Sequence, residues 1–247
     1  MINTKDLSAI VLAAGKGKRL KCTTTNKTAI CIGGKPMVAY TIENLKKAGL
    51  NKIICIVGFA AESVKKALEN SVEYGFQNKR LGTAHAVKCG LKFLKDTKNI
   101  FVLNGDDSAF YPPELFTKML EIQEKRKPAI TMLTVKRSDP TGLGRIVRDP
   151  KTDYVIKIVE EKNTNEEEKL IKEINAACYI FEENFLRKFI NKVKKNSVSG
   201  EYYLTDLIEL AVENKLLIQT LIWPDETVFQ GVNTPDQLIE AQKRLEK

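Results

Sequence analysis

Residues Leu12–Leu20 read Leu-Ala-Ala-Gly-Lys-Gly-Lys-Arg-Leu and follow the apolar run Leu7–Val11. A buried strand that opens into a glycine-rich, cationic turn is a place to hold phosphates. Gly15 and Gly17 permit positive φ and a close approach of backbone to ligand. Successive N–H groups in such a turn make an anion-binding nest. Lys16, Lys18 and Arg19 add positive charge, and an arginine can grip a phosphate through two parallel hydrogen bonds. A tight basic surface turn is the competing reading. The dinucleotide fingerprint does not fit: its third glycine falls on Leu20, and Ala39-Tyr40-Thr41 stands where an acidic ribose ligand is required. No G-x-x-x-x-G-K-[ST] loop is present either.

Other residues could complete a nucleotide site. Leu103-Asn104-Gly105-Asp106-Asp107 follows a second apolar run. An Asp at the carboxyl end of a strand can hold Mg2+ beside a phosphate loop, or simply cap the turn. Gln77 offers both a donor and an acceptor, which suits a pyrimidine edge. Gly82 and Thr83 offer close backbone approach and a hydroxyl. His85 is the chain's only histidine, and its place one turn into a helix favours packing over proton transfer. Glu160 and Glu161 read as a solvated pair or as a contact to a sugar hydroxyl. Asn233, in Gly231-Val232-Asn233, could supply an oxygen ligand to a metal, which spacing alone cannot establish.

The elements that must position these residues alternate. Strand-like runs are Ala9–Ala13, Lys52–Val57, Ile100–Leu103, Ala129–Val135, Val155–Val159, Ala176–Phe181 and Leu217–Ile222. Between them Pro36 suits a first helical turn, with Val38, Ile42, Leu45 and Ala48 as an apolar stripe and Gly49 as C-cap. Thr83 is expected to cap a helix bearing Ala84, Val87, Leu91 and Leu94. Another helix runs from Tyr111-Pro112-Pro113-Glu114 to about Lys127-Pro128, and a last one begins at Pro235. The alternation predicts an α/β fold, a mostly parallel sheet with helices on both faces. Residues 136–175 read as an inserted β region covering the open sheet edge, with Asn163–Lys169 as an exposed loop.

The 247 residues are 43% hydrophobic and 29% charged, enough for a single large α/β domain over 1–247. No apolar run reaches the ~18 residues that span a bilayer, and Met1–Asp6 lacks a signal-peptide core. The five cysteines are scattered without a C-x-x-C pair, so neither a disulfide framework nor a zinc site is expected, and a reducing cytoplasm is. Cys31, Cys55 and Cys178 lie in apolar runs and are expected in the core. The net charge of +9 comes from dispersed lysines without a basic block. Attraction of an anionic small substrate explains it as well as nucleic acid would.

Taken together the motifs resemble the sugar-phosphate nucleotidyltransferases, and within them the uridylyltransferase domain of the bacterial bifunctional N-acetylglucosamine-1-phosphate uridyltransferases. The resemblance is carried by Leu12–Leu20, Lys27, Gly33–Met37, Gln77–Ala86, Gly105-Asp106, Thr141–Arg148, Ile158–Lys162, Glu173–Asn175, Gly200–Asp206 and Gly231–Asn233. Each motif is weak alone, but they occur in the family's order along nearly the whole chain. The resemblance implies a Rossmann-like three-layer α/β/α sandwich with an inserted sugar-binding region. It implies that Leu12, Ala13, Ala14, Gly15 and Gly17 bind nucleotide, that Arg19 and Lys27 act on the phosphates, and that Gln77, Gly82 and Thr83 read uracil. Asp106 and Asn233 would hold Mg2+, and Gly142, Glu160 and Asn175 would line the N-acetylglucosamine site.

The implied reaction joins UTP and N-acetylglucosamine 1-phosphate with release of pyrophosphate. Uridylyl or thymidylyl transfer to glucose 1-phosphate, and an inactive nucleotide-binding subunit, are the alternatives. Several positions depart from the family pattern. Lys18 replaces a usual Thr, Asn26 the usual Pro before Lys27, and Arg80 a common Gln. Asn175-Ala176-Ala177-Cys178 replaces Asn-Thr-Gly, adding bulk beside the implied sugar pocket. The sequence shows no hexapeptide β-helix repeat, so acetyl transfer is not expected, and without that trimerising element a monomer or weak dimer is. Neither nucleic acid nor membrane is an expected partner.

Overall fold

A computed structural model describes residues 6–245, with the backbone alone at Lys18. The readings of residues 1–5 and of the Lys18 charge lie outside the described residues. Strand β1 (Leu7–Ala13) is buried along its whole length. Its alternating side chains serve two cores. Leu7, Ala9, Val11 and Ala13 pack on one face of the sheet, and Ile10 and Leu12 on the other. That two-sided burial is why the segment reads as a continuous apolar run.

A short hairpin of β2 (Cys31–Ile32) and β3 (Lys35–Pro36) leads into α1 (Met37–Lys47). The helix ends where Leu50 N donates to Leu45 O around Gly49. Then follow β4 (Lys52–Val57), α2 (Ala61–Leu68), β5 (Glu73–Phe76), α3 (Thr83–Gly90), β6 (Asn99–Asn104), α4 (Pro113–Arg126) and β7 (Ile130–Lys136). The hairpin β8 (Arg145–Arg148) and β9 (Val155–Val159), a single turn α5 (Glu166–Lys169) and the long β10 (Glu173–Glu182) come next. The chain finishes with α6 (Glu183–Phe189), α7 (Asp206–Glu213), β11 (Ile218–Trp223) and α8 (Pro235–Leu245).

The main path of the nine-stranded sheet runs β11-β7-β10-β6-β1-β4-β5. Along it β1, β4, β5 and β6 are mutually parallel, as are β7 and β11. Strand β10 alone runs antiparallel, pairing β6 through Cys178↔Leu103 and β7 through Asn175↔Thr134. The expected α/β architecture with a mostly parallel sheet is therefore present. The β8–β9 hairpin joins the sheet through Arg145↔Ile174, on the inner strand β10 and not over the edge strands β11 or β5 as expected of the 136–175 region. No helix among the described residues is long and apolar enough to cross a membrane.

Four further expectations are corrected. Thr83 is the first residue of α3 rather than its cap; Gly82 precedes the helix and Thr83 Oγ1 instead accepts from Leu204 N at 2.9 Å. Residues 163–169 are not all loop, because Asn165 and Glu168 form a reciprocal capping box that closes one helical turn. Cys55 and Cys178 are buried, but Cys31 is exposed. In the two-residue strand β2 only one side chain can face inward, and that is Ile32. Gly15 does not need positive φ; Gly17 does, at φ 61°.

Ala177 adopts φ 49° where β10 slips register against β7 between Asn175 and Tyr179. An L-residue in the left-handed region is disfavoured by ~1–2 kcal/mol, while a glycine there adds about 0.4–1 kcal/mol of unfolded-state entropy. Ala177→Gly is therefore expected to raise unfolding free energy by about 0.5–1 kcal/mol, read from urea titration. A stability loss would contradict the strain assigned to this position.

Candidate functional site

The candidate site lies along the carboxyl ends of β1, β4, β5 and β6, where open α/β sheets bind ligands. The 14–17 turn leaves β1. Gly17 is required not only by its φ: a Cβ there would stand 3.1 Å from both Cys22 Sγ and Lys27 Cβ. A Cβ on Gly15 would meet nothing within 4 Å. Its bare side is open to a ligand.

Asn26 holds this turn in place. It is fully buried, and the two hydrogens of its Nδ2 are shared among Ala13 O, Gly15 O and Phe59 O, at 2.9, 3.1 and 2.8 Å. Its Oδ1 accepts from Thr28 N and Thr28 Oγ1, both at 2.9 Å, and its own N–H donates to Ser63 Oγ at 2.9 Å. One side chain thus ties the end of β1, the β4–α2 connection and the turn carrying Lys27. Sequence reading noted Asn26 only as a replaced proline, since partners up to 37 residues away leave no local signal.

The Lys27 ammonium donates to Asn233 Oδ1 at 2.8 Å and pairs with Asp106. Three of the four candidate phosphate and metal residues, all but Arg19, therefore meet at one point. Asn233 is fixed from the C-terminal side, where its N–H donates to Gln237 Oε1 at 2.8 Å. Asp107 accepts from Asn104 Nδ2 at 2.9 Å. Burial, aided by the neighbouring Asp106 charge, pushes its carboxyl up to about 7. The Asp106 and Asn233 oxygens already converge on a cation, the ammonium. Two hard oxygen donors with substrate phosphates completing the shell suit Mg2+. Among the described residues no cluster of three or more His, Cys, Asp or Glu gathers, so no all-protein cage competes with this arrangement.

A cavity of about 600 Å3 opens over the turn, lined by Leu12, Ala13, Ala14, Gly15, Gly17, Lys27, Gln77, Gly82, Thr83 and Asp106. The expected nucleotide residues are thus brought together. Arg19 is not among them; its side chain is exposed to solvent. The wall also includes Glu201 and Tyr203, which the sequence reading did not single out. They arrive because Tyr202 bridges the α3 entrance: its N donates to Leu81 O at 2.7 Å and its O accepts from Ala84 N at 3.0 Å. Gly82, at φ 99°, makes that approach possible.

A second cavity of about 220 Å3 shares Thr83, Asn104 and Tyr203 with the first and is lined by Gly142, Glu160, Asn175 and Ala177. The three expected sugar residues meet there. Asn175 Oδ1 accepts from Tyr179 Oη at 2.8 Å and from Ala177 N at 3.1 Å, leaving its Nδ2 as the donor it can offer. Glu161 faces away from this role. Its carboxylate takes the buried Arg145 guanidinium at 2.6 Å and the Gly142 N–H at 3.1 Å, holding the 141–144 loop from beneath.

The nucleotidyl transferase family model matches residues 8–247, and the chain belongs to that family. It is 38% identical over 239 residues to the bifunctional protein GlmU of Oceanobacillus iheyensis, covering 97% of this chain and 52% of the relative. Against the bifunctional protein GlmU of Bacillus licheniformis it is 42% identical over 202 residues, 82% of this chain and 44% of the relative. The chain spans about half the length of the curated relatives it matches. A solved putative glucose-1-phosphate thymidylyltransferase from Bacillus anthracis, in complex with a sucrose, has the same fold. The TM-score is 0.82 at 22% identity, covering 98% of this chain and 96% of that one.

Removing the Asn26 amide strands buried carbonyl oxygens, and Asn26→Ala is expected to cost about 2–4 kcal/mol in chemical denaturation. Asn26→Asp keeps the shape but turns an acceptor toward three acceptors. It should cost at least as much despite losing no volume. A neutral Asn26→Asp would refute the anchoring role.

Proposed function

Starting from membership of the nucleotidyl transferase family, we propose that the chain transfers a uridylyl group from UTP to N-acetylglucosamine 1-phosphate, releasing pyrophosphate. The observation that carries this reading is the continuity of the two cavities. Base-side Gln77 with Lys27 and Asp106 lines the larger cavity and sugar-side Glu160 and Asn175 the smaller, the two share Thr83, Asn104 and Tyr203, and Asn233 joins through its contact with Lys27.

In this reading Leu12–Gly17 cradle the nucleotide with backbone N–H groups, and Gln77, Gly82 and Thr83 receive the base. Asp106 and Asn233 hold Mg2+, which supplies Lewis-acid neutralisation of phosphate charge when bound. The sugar phosphate is already an anionic nucleophile at neutral pH, so no general base is needed. The protein's task is to align its oxygen with the α-phosphorus and to oppose developing charge. Lys27, beside both metal ligands, does the second. Arg19 joins it by closing onto the triphosphate from the exposed rim. Glu160 and the Asn175 Nδ2 orient the acceptor sugar, beside the 141–144 loop that Arg145 and Glu161 keep in place.

One observation favours a second acceptor. The Ala177 methyl projects from the left-handed residue of β10 at the acceptor cavity. A smaller sugar lacking the N-acetyl group, glucose 1-phosphate, would fit there with less crowding.

The deciding experiment is a matrix of nucleoside triphosphates against sugar 1-phosphates with pyrophosphate release as readout. UTP with N-acetylglucosamine 1-phosphate should give the highest kcat/KM; a preference for glucose 1-phosphate would replace the acceptor and keep the reaction class. Asp106→Ala should lower Mg2+-dependent turnover by at least about a hundredfold while leaving the thermal unfolding transition cooperative. Unchanged activity and metal dependence would remove Asp106 from the metal site.

A further inference from the structure

Gln77 is 5% exposed at the wall of the larger cavity. Its Nε2 lies 2.9 Å from Gly82 O and 3.1 Å from His85 Nδ1. A carbonyl oxygen cannot donate, so the atom facing Gly82 is the amide nitrogen. That settles which way round the amide sits. The nitrogen has two hydrogens. One goes to Gly82 O, and the second points at His85. His85 Nδ1 must therefore present its lone pair, with the ring proton on Nε2. Burial of the imidazole, followed by the charges of Lys88 and Lys92, lowers its pKa below the usual histidine range, which favours this neutral form.

With both hydrogens spent, Gln77 does not offer the donor-and-acceptor pair expected from its type. It offers Oε1 alone, which takes no hydrogen bond from the protein among the described residues. A lone acceptor complements the N3–H of a uracil-type base. It opposes the N3 lone pair of cytosine. A Gln free to rotate by 180° would serve either base. We infer that His85 is a positioning residue for base selection: by accepting the second Gln77 hydrogen it locks the amide in the one orientation that favours an N3–H base over cytosine. The inference rests on the proposed pyrimidine role of the larger cavity. His85 itself does not line the cavity.

The chain contains a single histidine, so a direct test needs no resonance assignment. In a long-range 15N–1H correlation spectrum of the 15N-labelled wild type at neutral pH, the imidazole should show an unprotonated Nδ1 and a protonated Nε2. The reverse tautomer would overturn the proposal. The functional arm compares UTP with CTP. His85→Leu removes the acceptor, and the UTP:CTP ratio of kcat/KM should fall by at least about tenfold. His85→Asn restores an oxygen near the Nδ1 position and should keep the ratio within about threefold of wild type. A folded His85→Leu variant with an unchanged ratio sinks the locking role while the uridylyl reading stands. A wild type without preference for UTP sinks both. Should His85→Leu fail to fold, the tautomer and the Asn variant still decide.

Discussion

Everything at the candidate site depends on one buried carboxamide. Asn26 shares its two amide hydrogens among three carbonyls from two separate connections and accepts from two donors of Thr28 at once. The alternative would be several unpaired polar groups in a buried place, each costing about 1–3 kcal/mol. This fixes the glycine turn relative to Lys27, and Lys27 relative to Asp106 and Asn233. A proline at this position could offer neither the side-chain amide nor the N–H that reaches Ser63. The chain thus holds its glycine turn with a hydrogen-bonded network, which demands complete satisfaction to be worth having.

Carboxamides recur around the candidate site, and in each case the protein has consumed one end. Gln77 has its nitrogen occupied, Asn175 its oxygen, and Asn233 accepts the Lys27 ammonium at its oxygen. An Asn or Gln in solution is ambivalent; pinned at one end it becomes a one-way hydrogen-bonding group. Dipoles oriented before a ligand arrives need no reorganisation when it does. The supporting partners are Gly82 and His85 on one side, and Tyr179 and the strained Ala177 backbone on the other. Strain at Ala177 is thus coupled to the orientation of Asn175 two residues earlier, because the Ala177 N–H is one of the two groups that hold it.

What the sequence made legible follows from how locally each feature is encoded. Strands β1, β4 and β9 are buried or alternating runs, and their bounds come close to the apolar residues themselves. Strand β5 gives no such signal. It is a four-residue strand at the edge of the sheet with exposed Glu73 and Phe76, and it includes Gly75, where a Cβ would stand 2.7 Å from Ile56 Cδ1. Packing against a neighbour explains that glycine, and no local rule does. Thr83 looks like a helix cap by type, yet its hydroxyl serves residue 204. The candidate loop, Gln77 and Asp106 could be picked out because their types are unusual in their places, while the sugar residues are implied by the family resemblance. Asn26, Arg145, Glu161 and Tyr179 could not. Their roles exist only through partners on other elements, and sequence offers no measure of who those partners are.

Lys27 has a consequence of a thermodynamic kind. Its ammonium stands between the Asp106 and Asn233 oxygens, so in the proposed reading a metal cation would have to take its place there. Linkage makes such competition reciprocal. An anion that draws the lysine aside raises the affinity of the two oxygens for a cation, and the cation raises the affinity for the anion by the same factor. In the proposed reading one charge would therefore couple two ligands of opposite sign, and the pair would bind cooperatively with no helix or strand having to move.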